Sequence, residues 1–232
     1  MVEIQITEDG SHTLFSEMAG QTYHSSHGAV QESRHIFIDA ALAKAHNDMG
    51  NAQLSVLEIG FGTGLNALLT AQWARDNGVN IEYTSIELYP LAEVVYRELN
   101  YGGLLGDEEL FVKIHEAEWD AGLVEVTENF AIGKCRCDIV EWLCNEECGM
   151  RNEELYDVVY FDAFSPDAQP ELWSEEVFRN VYALMREGGV MTTYCAKGDV
   201  RRAMLAAGFR VEKLQGPPGK RHILRAVKGI DN

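Results

Sequence analysis

The chain has 232 residues, of which 46% are hydrophobic, and it carries a formal net charge of −18. This length and apolar content suit one α/β domain with a well-filled core, whereas the acidity argues against attraction of the whole surface to nucleic acid. No apolar run reaches the ~18–20 residues that span a bilayer, and the N-terminus lacks the regions of a signal peptide, so we expect a soluble, cytoplasmic protein.

Residues 1–50 precede the first strand of the α/β pattern, and we expect them to form an N-terminal extension packed on the core. A polar and aromatic loop around His24 and His27 leads to a helix-like stretch over residues 40–46. Histidines in such a loop could bind a metal, but they more often form hydrogen bonds or packing contacts. The sequence therefore predicts no metal site in this extension.

The segment from Glu58 to Gly64 follows an apolar strand, predicted over residues 54–59, and precedes a helix predicted over residues 65–76. A strand, a glycine-rich turn and a helix form the mononucleotide-binding half of a doubly wound sheet. The spacing is Glu-x-Gly-x-Gly-x-Gly instead of the dinucleotide pattern G-x-G-x-x-G. Because a carboxylate favours a cation over a phosphate, the segment resembles motif I of class I methyltransferases, which bind the sulfonium compound S-adenosylmethionine. The alternative is a glycine-rich connector in another α/β protein.

A second strand is predicted over residues 81–86 and ends at Glu87. In Rossmann-like folds, an acidic residue at the end of the second strand accepts hydrogen bonds from ribose hydroxyl groups. We predict this role for Glu87, with a solvated acid at a strand end as the alternative. A helix is expected next, over residues 90–99.

The stretch of residues 110–140 is ambiguous. Residues 111–115 fit a helix or a strand, whereas residues 123–126 and 132–140 suggest a hairpin whose second strand is closed by Asp138. Four cysteines follow closely on one another, at Cys135, Cys137, Cys144 and Cys148. Because their spacings are C-x-C and C-x3-C instead of paired C-x-x-C, we favour free thiols over a zinc site.

The apolar run of residues 157–161 predicts a buried strand that ends at Asp162. Ligands of open α/β sheets bind at the carboxyl ends of strands where the strand order reverses, so Asp162 and the glycine segment are expected to face one crevice. A carboxylate there can accept hydrogen bonds from an amine, orient it and stabilise the charge that develops during methyl transfer. Phe164 would wall the cofactor or stack on a base. The alternative role of Asp162 is a helix cap or turn residue.

Helices predicted over residues 171–186 and 198–207 flank a strand over residues 189–195, and two last strands follow, over 209–215 and 221–227. Strands that alternate with helices indicate a mainly parallel sheet. For residues 51–232 we therefore predict a class I S-adenosylmethionine-dependent methyltransferase domain. It would be an α/β, Rossmann-like domain with a seven-stranded, mainly parallel sheet and an antiparallel closing hairpin.

Three groups of motifs spread over nearly the whole chain. They are the run from Glu58 to Asn66, the run from Asp162 to Trp173, and the tail from Val200 to Arg221. Together they resemble the tRNA (5-aminomethyl-2-thiouridine)-methyltransferases, a family with a stand-alone MnmD type and with the methyltransferase half of bifunctional MnmC. The resemblance implies methylation, from S-adenosylmethionine, of the 5-aminomethyl group on a wobble uridine of tRNA. The product would be 5-methylaminomethyl-2-thiouridine.

The same resemblance implies roles for individual residues. Asp162 would be catalytic, Asp138 would contact adenine, and Tyr23 would bind the substrate. The other residues that would hold the cofactor are Glu58, Gly60, Gly62, Gly64, Asn66, Glu87 and Phe164. Apart from the resemblance, basic residues cluster in the C-terminal third of this acidic chain. We expect a rim that binds the phosphate groups of tRNA, formed by Lys197, Arg201, Arg202, Lys220 and Arg221.

The chain ends at Asn232, without the flavin-dependent oxidase domain of the bifunctional enzyme, so we expect the stand-alone type, which receives its aminomethyl substrate from a partner. Two alternatives stay open. A small-molecule amine N-methyltransferase would suit the net charge, although the basic tail argues against it. A non-catalytic module would bind S-adenosylmethionine or RNA without methyl transfer, although an intact glycine segment and Asp162 argue against that. An aminopropyl transferase of the polyamine-synthase type is a more remote alternative.

Overall fold

The computed structural model describes residues 2–144 and 155–229, and its strands form two sheets. The strands are β1 (Val2–Ile6), β2 (His12–Ser16), β3 (Gln21–Thr22), β4 (Gln53–Ile59), β5 (Asn80–Ile86), β6 (Val124–Thr127), β7 (Phe130–Cys135), β8 (Tyr156–Phe161), β9 (Met185–Thr193), β10 (Arg210–Gln215) and β11 (His222–Val227). A small sheet contains β1, β2 and β3. The central sheet has the order β10-β11-β9-β8-β4-β5-β7-β6.

The central sheet has the predicted class I topology. β4 pairs in parallel with β5 and β8, and β7 and β9 extend the parallel part on either side. β11 is antiparallel to β9 and β10 is antiparallel to β11, which confirms the closing hairpin. β6 pairs with β7 as the hairpin expected there, and it adds an eighth strand at the other edge. The strand order reverses between β4 and β8, so the ends of these two strands lie side by side.

Helices cover both faces of the central sheet. They are α1 (Ala29–Ser33), a π-helical segment (Arg34–Leu42), α2 (Ala43–Met49), α3 (Leu65–Asn77), α4 (Glu93–Tyr96), α5 (Tyr101–Leu105), α6 (Glu108–Glu116), α7 (Ile139–Cys144), a 3-10 turn (Pro170–Trp173), α8 (Glu175–Leu184) and α9 (Gly198–Ala206). Successive strand residues point to opposite faces. Val56 therefore joins the apolar cluster under the π-helical segment and α3, whereas Leu57 joins the cluster under α7, α8 and α9.

The predicted helix over residues 90–99 is wrong in its length, since only α4 is helical there. It begins late because Ala92 has an extended backbone with ψ of 150°. It ends before Asn100, whose side-chain oxygen accepts a 2.9 Å hydrogen bond from the backbone N–H of His12 in β2. Residues 111–115, for which helix and strand were both possible, lie in α6.

Two further boundaries differ from the prediction. β7 ends at Cys135, so Asp138 does not close a strand; its Oδ1 accepts hydrogen bonds from the N–H groups of Val140 (2.8 Å) and Glu141 (3.1 Å) at the start of α7. β9 begins at Met185 because this buried residue pairs with Tyr156 of β8, and α8 therefore ends before it.

The first fifty residues contribute both the small sheet and a continuous helical stretch, residues 29–49. Phe37 of the π-helical segment is 2% exposed, and its ring lies 5.1 Å from that of Tyr160 in β8. The helical stretch therefore packs directly on the central sheet, although a division at residue 50 stays a prediction. None of the helices in the described residues is long and apolar enough to cross a membrane.

Candidate active site

The carboxyl ends of β4, β5, β8 and β9 open on one cavity of about 230 Å³. Met18 and residues 21–25 of the N-terminal segment also line it. The predicted site residues on its wall are Tyr23, Gly60, Gly62, Asn66, Glu87, Asp138, Asp162, Phe164 and Lys220. The fold thus brings together residues that are about a hundred positions apart in the sequence.

The glycine segment turns because its glycines adopt backbone conformations that other residues rarely take. φ is 95° at Gly60, 50° at Gly62 and 73° at Gly64. A Cβ on Gly60 would lie 2.8 Å from the backbone oxygen of Asp162, and one on Gly64 would lie 2.7 Å from Nε2 of His115. Glycine at these positions therefore lets β4 and β8 approach each other and lets α3 begin at Leu65.

Glu87 fixes the turn that follows β5. Its Oε2 accepts a hydrogen bond from the backbone N–H of Gly62 (3.1 Å), and its Oε1 accepts one from that of Tyr89 (2.8 Å). These bonds hold the carboxylate at the cavity wall, where it can accept hydrogen bonds from the hydroxyl groups of a ligand. Asp138 lies on the same wall and is held by its two bonds to α7.

Glu58 does not line the cavity, because it lies beneath the glycine segment and is 0% exposed. Its Oε2 accepts a 2.6 Å hydrogen bond from the hydroxyl of Ser85 in β5. Burial raises the pKa of the Glu58 carboxyl to about 8, against the effect of hydrogen bonds that include the one from Ser85. The protonated form is therefore favoured near neutral pH.

This raised pKa predicts a pH-dependent effect of Glu58→Gln on stability. The folded protein keeps a proton that the unfolded chain releases above its ordinary pKa of 4.5. Wild-type stability should therefore fall with pH from the ordinary pKa up to about 8, by up to ~1.4 kcal/mol per pH unit. Gln has the same shape but does not titrate. The melting temperature of the variant should therefore rise relative to that of wild type as the pH increases across this window.

The control for this measurement is Glu125→Gln at an exposed position of β6. Its melting temperature should follow that of wild type at every pH. A constant difference between Glu58→Gln and wild type from about pH 5 to pH 8 would show that Glu58 does not titrate in this window.

Asp162 follows β8 and is held from both sides. Its backbone N–H donates to the carbonyl oxygen of Ile59 (3.0 Å), and its Oδ2 accepts a hydrogen bond from Nδ2 of Asn66 (2.9 Å). Burial raises the pKa of the Asp162 carboxyl well above its ordinary value, and the nearby acids Glu58 and Glu32 add to the rise. A carboxylate with a raised pKa is suited to accepting a proton from an amine.

Aromatic side chains form the wall beside Asp162. The rings of Tyr23 and Phe164 lie 5.0 Å apart in an edge-to-face arrangement. The backbone of Phe164 is fixed because its N–H donates to Oε1 of Gln169 (3.1 Å) and its carbonyl oxygen accepts from the indole N–H of Trp173 (2.8 Å). A ring face of this pair can stack on an aromatic or heterocyclic ring of a ligand.

The predicted basic rim is divided by the structure. Lys197, Arg201, Arg202 and Arg221 are exposed and do not line the cavity, whereas Lys220 does. Nζ of Lys197 lies 2.6 Å from a carboxylate oxygen of Asp167, and Arg202 pairs with Asp199. Exposed pairs of this kind are weak, so these cations remain available to an anionic partner.

Within residues 2–144 and 155–229, no group of histidine, cysteine and acidic side chains could hold a metal ion. Cys135 ends β7. Cys148 and the side chain of Cys144 lie outside the described part of the chain. His24 is buried, and its Nε2 lies 2.7 Å from the hydroxyl oxygen of Thr63 in the glycine segment, which is a structural hydrogen bond.

Two further residues of the cavity wall, Glu32 and Tyr194, were not assigned a role from the sequence. Glu32 is buried in α1, whose other residues are uncharged. Tyr194 follows β9, so the rule that ligands bind at carboxyl ends of strands also applies to it. The hydroxyl of Tyr194 donates a 2.9 Å hydrogen bond to the carbonyl oxygen of Ala163.

The cavity fits a cationic nucleoside cofactor such as S-adenosylmethionine. The acidic residues on its wall are Glu32, Glu87, Asp138, Asp162 and Glu171. They favour a sulfonium and an ammonium group and disfavour a phosphate. Asn66 on the same wall is only 3% exposed, and its amide nitrogen donates to Asp162, so it positions that carboxylate.

Comparisons with known proteins agree with this chemistry. Residues 115–229 match the model of a family described as S-adenosyl-L-methionine-dependent methyltransferase. The chain is similar to a tRNA 5-methylaminomethyl-2-thiouridine biosynthesis bifunctional protein MnmC from Delftia acidovorans, with 30% identity over 93% of this chain and 33% of the relative. For the protein of the same name from Cupriavidus metallidurans, the identity is 31% over 93% of this chain and 32% of the relative. The chain thus spans about a third of these relatives.

A solved structure covers the whole chain. The crystal structure of MNMC2 from Aquifex aeolicus superposes with a TM-score of 0.76 and is 26% identical. The superposition covers 100% of this chain and 73% of the MNMC2 chain. The shared architecture therefore includes the N-terminal segment, residues 1–50, as well as the central sheet.

Proposed function

We propose that this chain, which belongs to the S-adenosyl-L-methionine-dependent methyltransferases, methylates the 5-aminomethyl group of the wobble uridine in tRNA. The product would be 5-methylaminomethyl-2-thiouridine. The observation that carries the proposal is the position of Asp162, which shares one cavity with the glycine segment and with the aromatic pair Tyr23 and Phe164. Relatives that are named for this biosynthesis support the choice of acceptor. A tRNA acceptor would place the enzyme in the cytoplasm.

The cavity provides groups for each part of the cofactor. Glu87 would accept hydrogen bonds from the ribose hydroxyls, and Asp138 would contact adenine. Gly60 and Gly62 would let the backbone approach the ligand, while Asn66 would hold Asp162 in place beside the cofactor. When bound, S-adenosylmethionine supplies an electrophilic methyl group.

The remaining predicted cofactor residues would act indirectly or as a wall. Glu58 lies beneath the glycine segment and supports it through β5, and Gly64 lets α3 begin close to His115. Phe164 would exclude water from the methyl-transfer path. Because methyl transfer is an in-line substitution, excluding water and fixing the two reacting groups are the protein's main contributions.

Asp162 would bind the methyl-accepting amine. An ammonium group has no lone pair, so the amine must lose a proton before it reacts. The Asp162 carboxylate would accept this proton, and its raised pKa brings it closer to that of the amine. Asn66 holds Oδ2, so the carboxylate has a fixed direction and its other oxygen can face the acceptor.

The N-terminal segment, residues 1–50, would act as an extension of the methyltransferase domain, residues 51–232. It brings Tyr23 against Phe164, and a uracil ring could stack on this pair. The single-stranded anticodon loop of tRNA can present such a base outside its stack. The extension would therefore bind the substrate as well as close the cavity.

The exposed basic residues predict the salt dependence of tRNA binding. We expect Lys197, Arg201, Arg202 and Arg221 to contact phosphate groups. Replacing Arg201 and Arg202 together with Gln should weaken tRNA binding and lower the slope of log Kd against log salt by about 1 to 2, since each contact contributes ~0.7–0.9. Filter binding between about 50 and 200 mM salt would measure this slope.

A matched control for this measurement is Lys113→Gln, which removes a cation that pairs with Glu109 on α6. Its slope should equal that of wild type. If the Arg201/Arg202 double variant also kept the wild-type slope, the tRNA would bind to another surface.

The acidic cavity favours a second candidate, a small-molecule amine N-methyltransferase. Its five carboxylic acids and the net charge of −18 would attract a free cationic amine. Transfer of labelled methyl groups separates the candidates. We expect transfer of the labelled methyl group to tRNA that lacks it, and little transfer to free nucleosides or alkyl amines. Equal or faster turnover of free amines would favour the second candidate.

A further inference from the structure

Lys220 has a fixed place at the cavity, in the turn between β10 and β11. The backbone N–H of Lys220 donates to the carbonyl oxygen of Pro217 (2.9 Å), and that of Gly216 donates to Arg221 (3.2 Å). A Cβ on Gly219, whose φ is 81°, would overlap the ring of His27. The turn is therefore packed against the N-terminal segment and leaves the backbone of Lys220 little freedom.

The side chain of Lys220 is held inside the cavity. Its Nζ lies 3.1 Å from Oε1 of Glu32 and 4.8 Å from the ring centre of Tyr194. Glu32 is itself fixed, because its Oε2 accepts a 2.7 Å hydrogen bond from the backbone N–H of Ser25. The side chains of Glu32 and Lys220 are only 9% and 28% exposed, so solvent screens this pair less than an exposed one.

Tyr194 connects Lys220 to the catalytic side of the cavity. Its hydroxyl donates to the carbonyl oxygen of Ala163, the residue after Asp162. Lys220, over the face of this ring, therefore lies on the side of the cavity where Asp162 would bind the acceptor amine. The cofactor residues Glu87 and Asp138 follow other strands, β5 and β7.

A cation at this position is unexpected for a site that binds cations. Among the described residues of the cavity wall, Lys220 is the one Lys or Arg. Burial lowers the pKa of His24 to about 4, so this neighbour is neutral. The ammonium has three N–H donors, and its contact with Oε1 of Glu32, at 3.1 Å, is an ion pair. An amine or a sulfonium would be repelled by this ammonium, so its donors need an electronegative partner. Because Lys220 lies on the Asp162 side of the cavity, we assign this partner to the acceptor and not to the carboxylate of the cofactor.

We propose that Lys220 is a specificity-determining residue, which donates a hydrogen bond to a ring carbonyl oxygen next to the methyl-accepting aminomethyl group. The inference rests on the proposed function and adds the chemical class of the acceptor. This class is an aminomethyl pyrimidine whose neighbouring ring position carries a carbonyl oxygen. Uracil has this oxygen at the position beside the aminomethyl carbon. Cytosine has an amino group there, which is a donor and would leave the Lys220 ammonium without an acceptor.

The test compares two anticodon stem-loop RNAs, one with 5-aminomethyluridine and one with 5-aminomethylcytidine at the wobble position. Wild type should prefer the uridine RNA by at least about tenfold in kcat/KM, since an unpaired buried donor is costly. The variant is Lys220→Met combined with Glu32→Gln, so that no buried carboxylate loses its partner. The kcat/KM values of this double variant for the two RNAs should differ by less than about threefold.

Two single variants separate a specific role from a structural one. Glu32→Gln keeps the Lys220 donor and should keep the preference for uridine. Lys220→Arg keeps a charged donor on a side chain of similar length and should keep at least part of the preference for uridine. Binding of S-adenosylmethionine should stay within about threefold of wild type in all variants, because Lys220 lies with the acceptor side.

Several results would overturn the inference. Equal turnover of the two RNAs by wild type would show that the carbonyl is not read. If the double variant kept the preference for uridine, Lys220 would have only a structural role. If it kept the preference and the slope of log Kd for RNA against log salt fell by about one, Lys220 would be a phosphate contact. Failure of wild type to methylate either RNA, with S-adenosylmethionine bound, would instead refute the proposed function.

Discussion

Replacing Asp162 with Asn should lower the rate of methyl transfer by roughly 10²- to 10⁴-fold, because the amine loses the group that accepts its proton. Asn has the same shape, and its side-chain oxygen can still accept the hydrogen bond from Asn66. The binding of S-adenosylmethionine should therefore change by less than about threefold. Single-turnover transfer to tRNA and calorimetric titration with the cofactor would measure the two effects separately.

The pH profile gives this variant a second test. The pKa of the Asp162 carboxyl is raised well above its ordinary value, so the pH range over which it ionises moves upward, and the wild-type kcat/KM should rise with pH across that range. Asp162→Asn should lose the part of this rise that belongs to the carboxyl and keep only that of the substrate amine. Asp167→Asn, five residues further on and 81% exposed, is the control and should transfer methyl groups at a rate close to wild type. A similar loss in both variants would place the proton acceptor elsewhere.

Gly60→Ala should abolish most of the activity by displacing two strand ends. The new Cβ would lie 2.8 Å from the backbone oxygen of Asp162, an atom that cannot rotate away. The positive φ of 95° adds ~1–2 kcal/mol of strain for any residue with a Cβ. We expect at least a tenfold loss of cofactor affinity and about 10²-fold in kcat/KM, because a misplacement of 1 Å can have such an effect.

Gly78→Ala is the matched control for this change. Gly78 ends α3 with a φ of 64°, and no atom lies within 4 Å of its added Cβ. It should show the backbone strain in its melting temperature without any change in cofactor binding. If Gly60→Ala bound S-adenosylmethionine as tightly as Gly78→Ala, the contact between Gly60 and Asp162 would not control the site.

The sequence was sufficient to predict the parts of the fold that depend on local patterns. Buried strands such as β8 are mostly apolar, as in the run of residues 158–161, because helices cover both sheet faces. The spacing of Gly60, Gly62 and Gly64 indicated the cofactor turn because few other residues adopt these conformations. The rule for strand ends then placed Asp162 beside this turn, and the structure confirms that they share one cavity.

Tertiary contacts explain what the sequence did not predict. Asn100 binds β2 in the N-terminal sheet, and no local pattern indicates such a contact, so the length of α4 was wrong. Lys220 looked like one more exposed cation in a basic tail, because its pairing with Glu32 spans nearly two hundred residues. Glu32 itself was unassigned, since an acid in a short helix is usually exposed.

The most direct test of the account is the identity of the methylated nucleoside. Bulk tRNA from cells that lack the endogenous methylation step would be incubated with the protein and S-adenosylmethionine, and its nucleosides would be analysed by mass spectrometry. We expect a gain of one CH2 unit on 5-aminomethyl-2-thiouridine with wild type and no gain with Asp162→Asn. An unchanged nucleoside pool, with the cofactor bound to the protein, would contradict it.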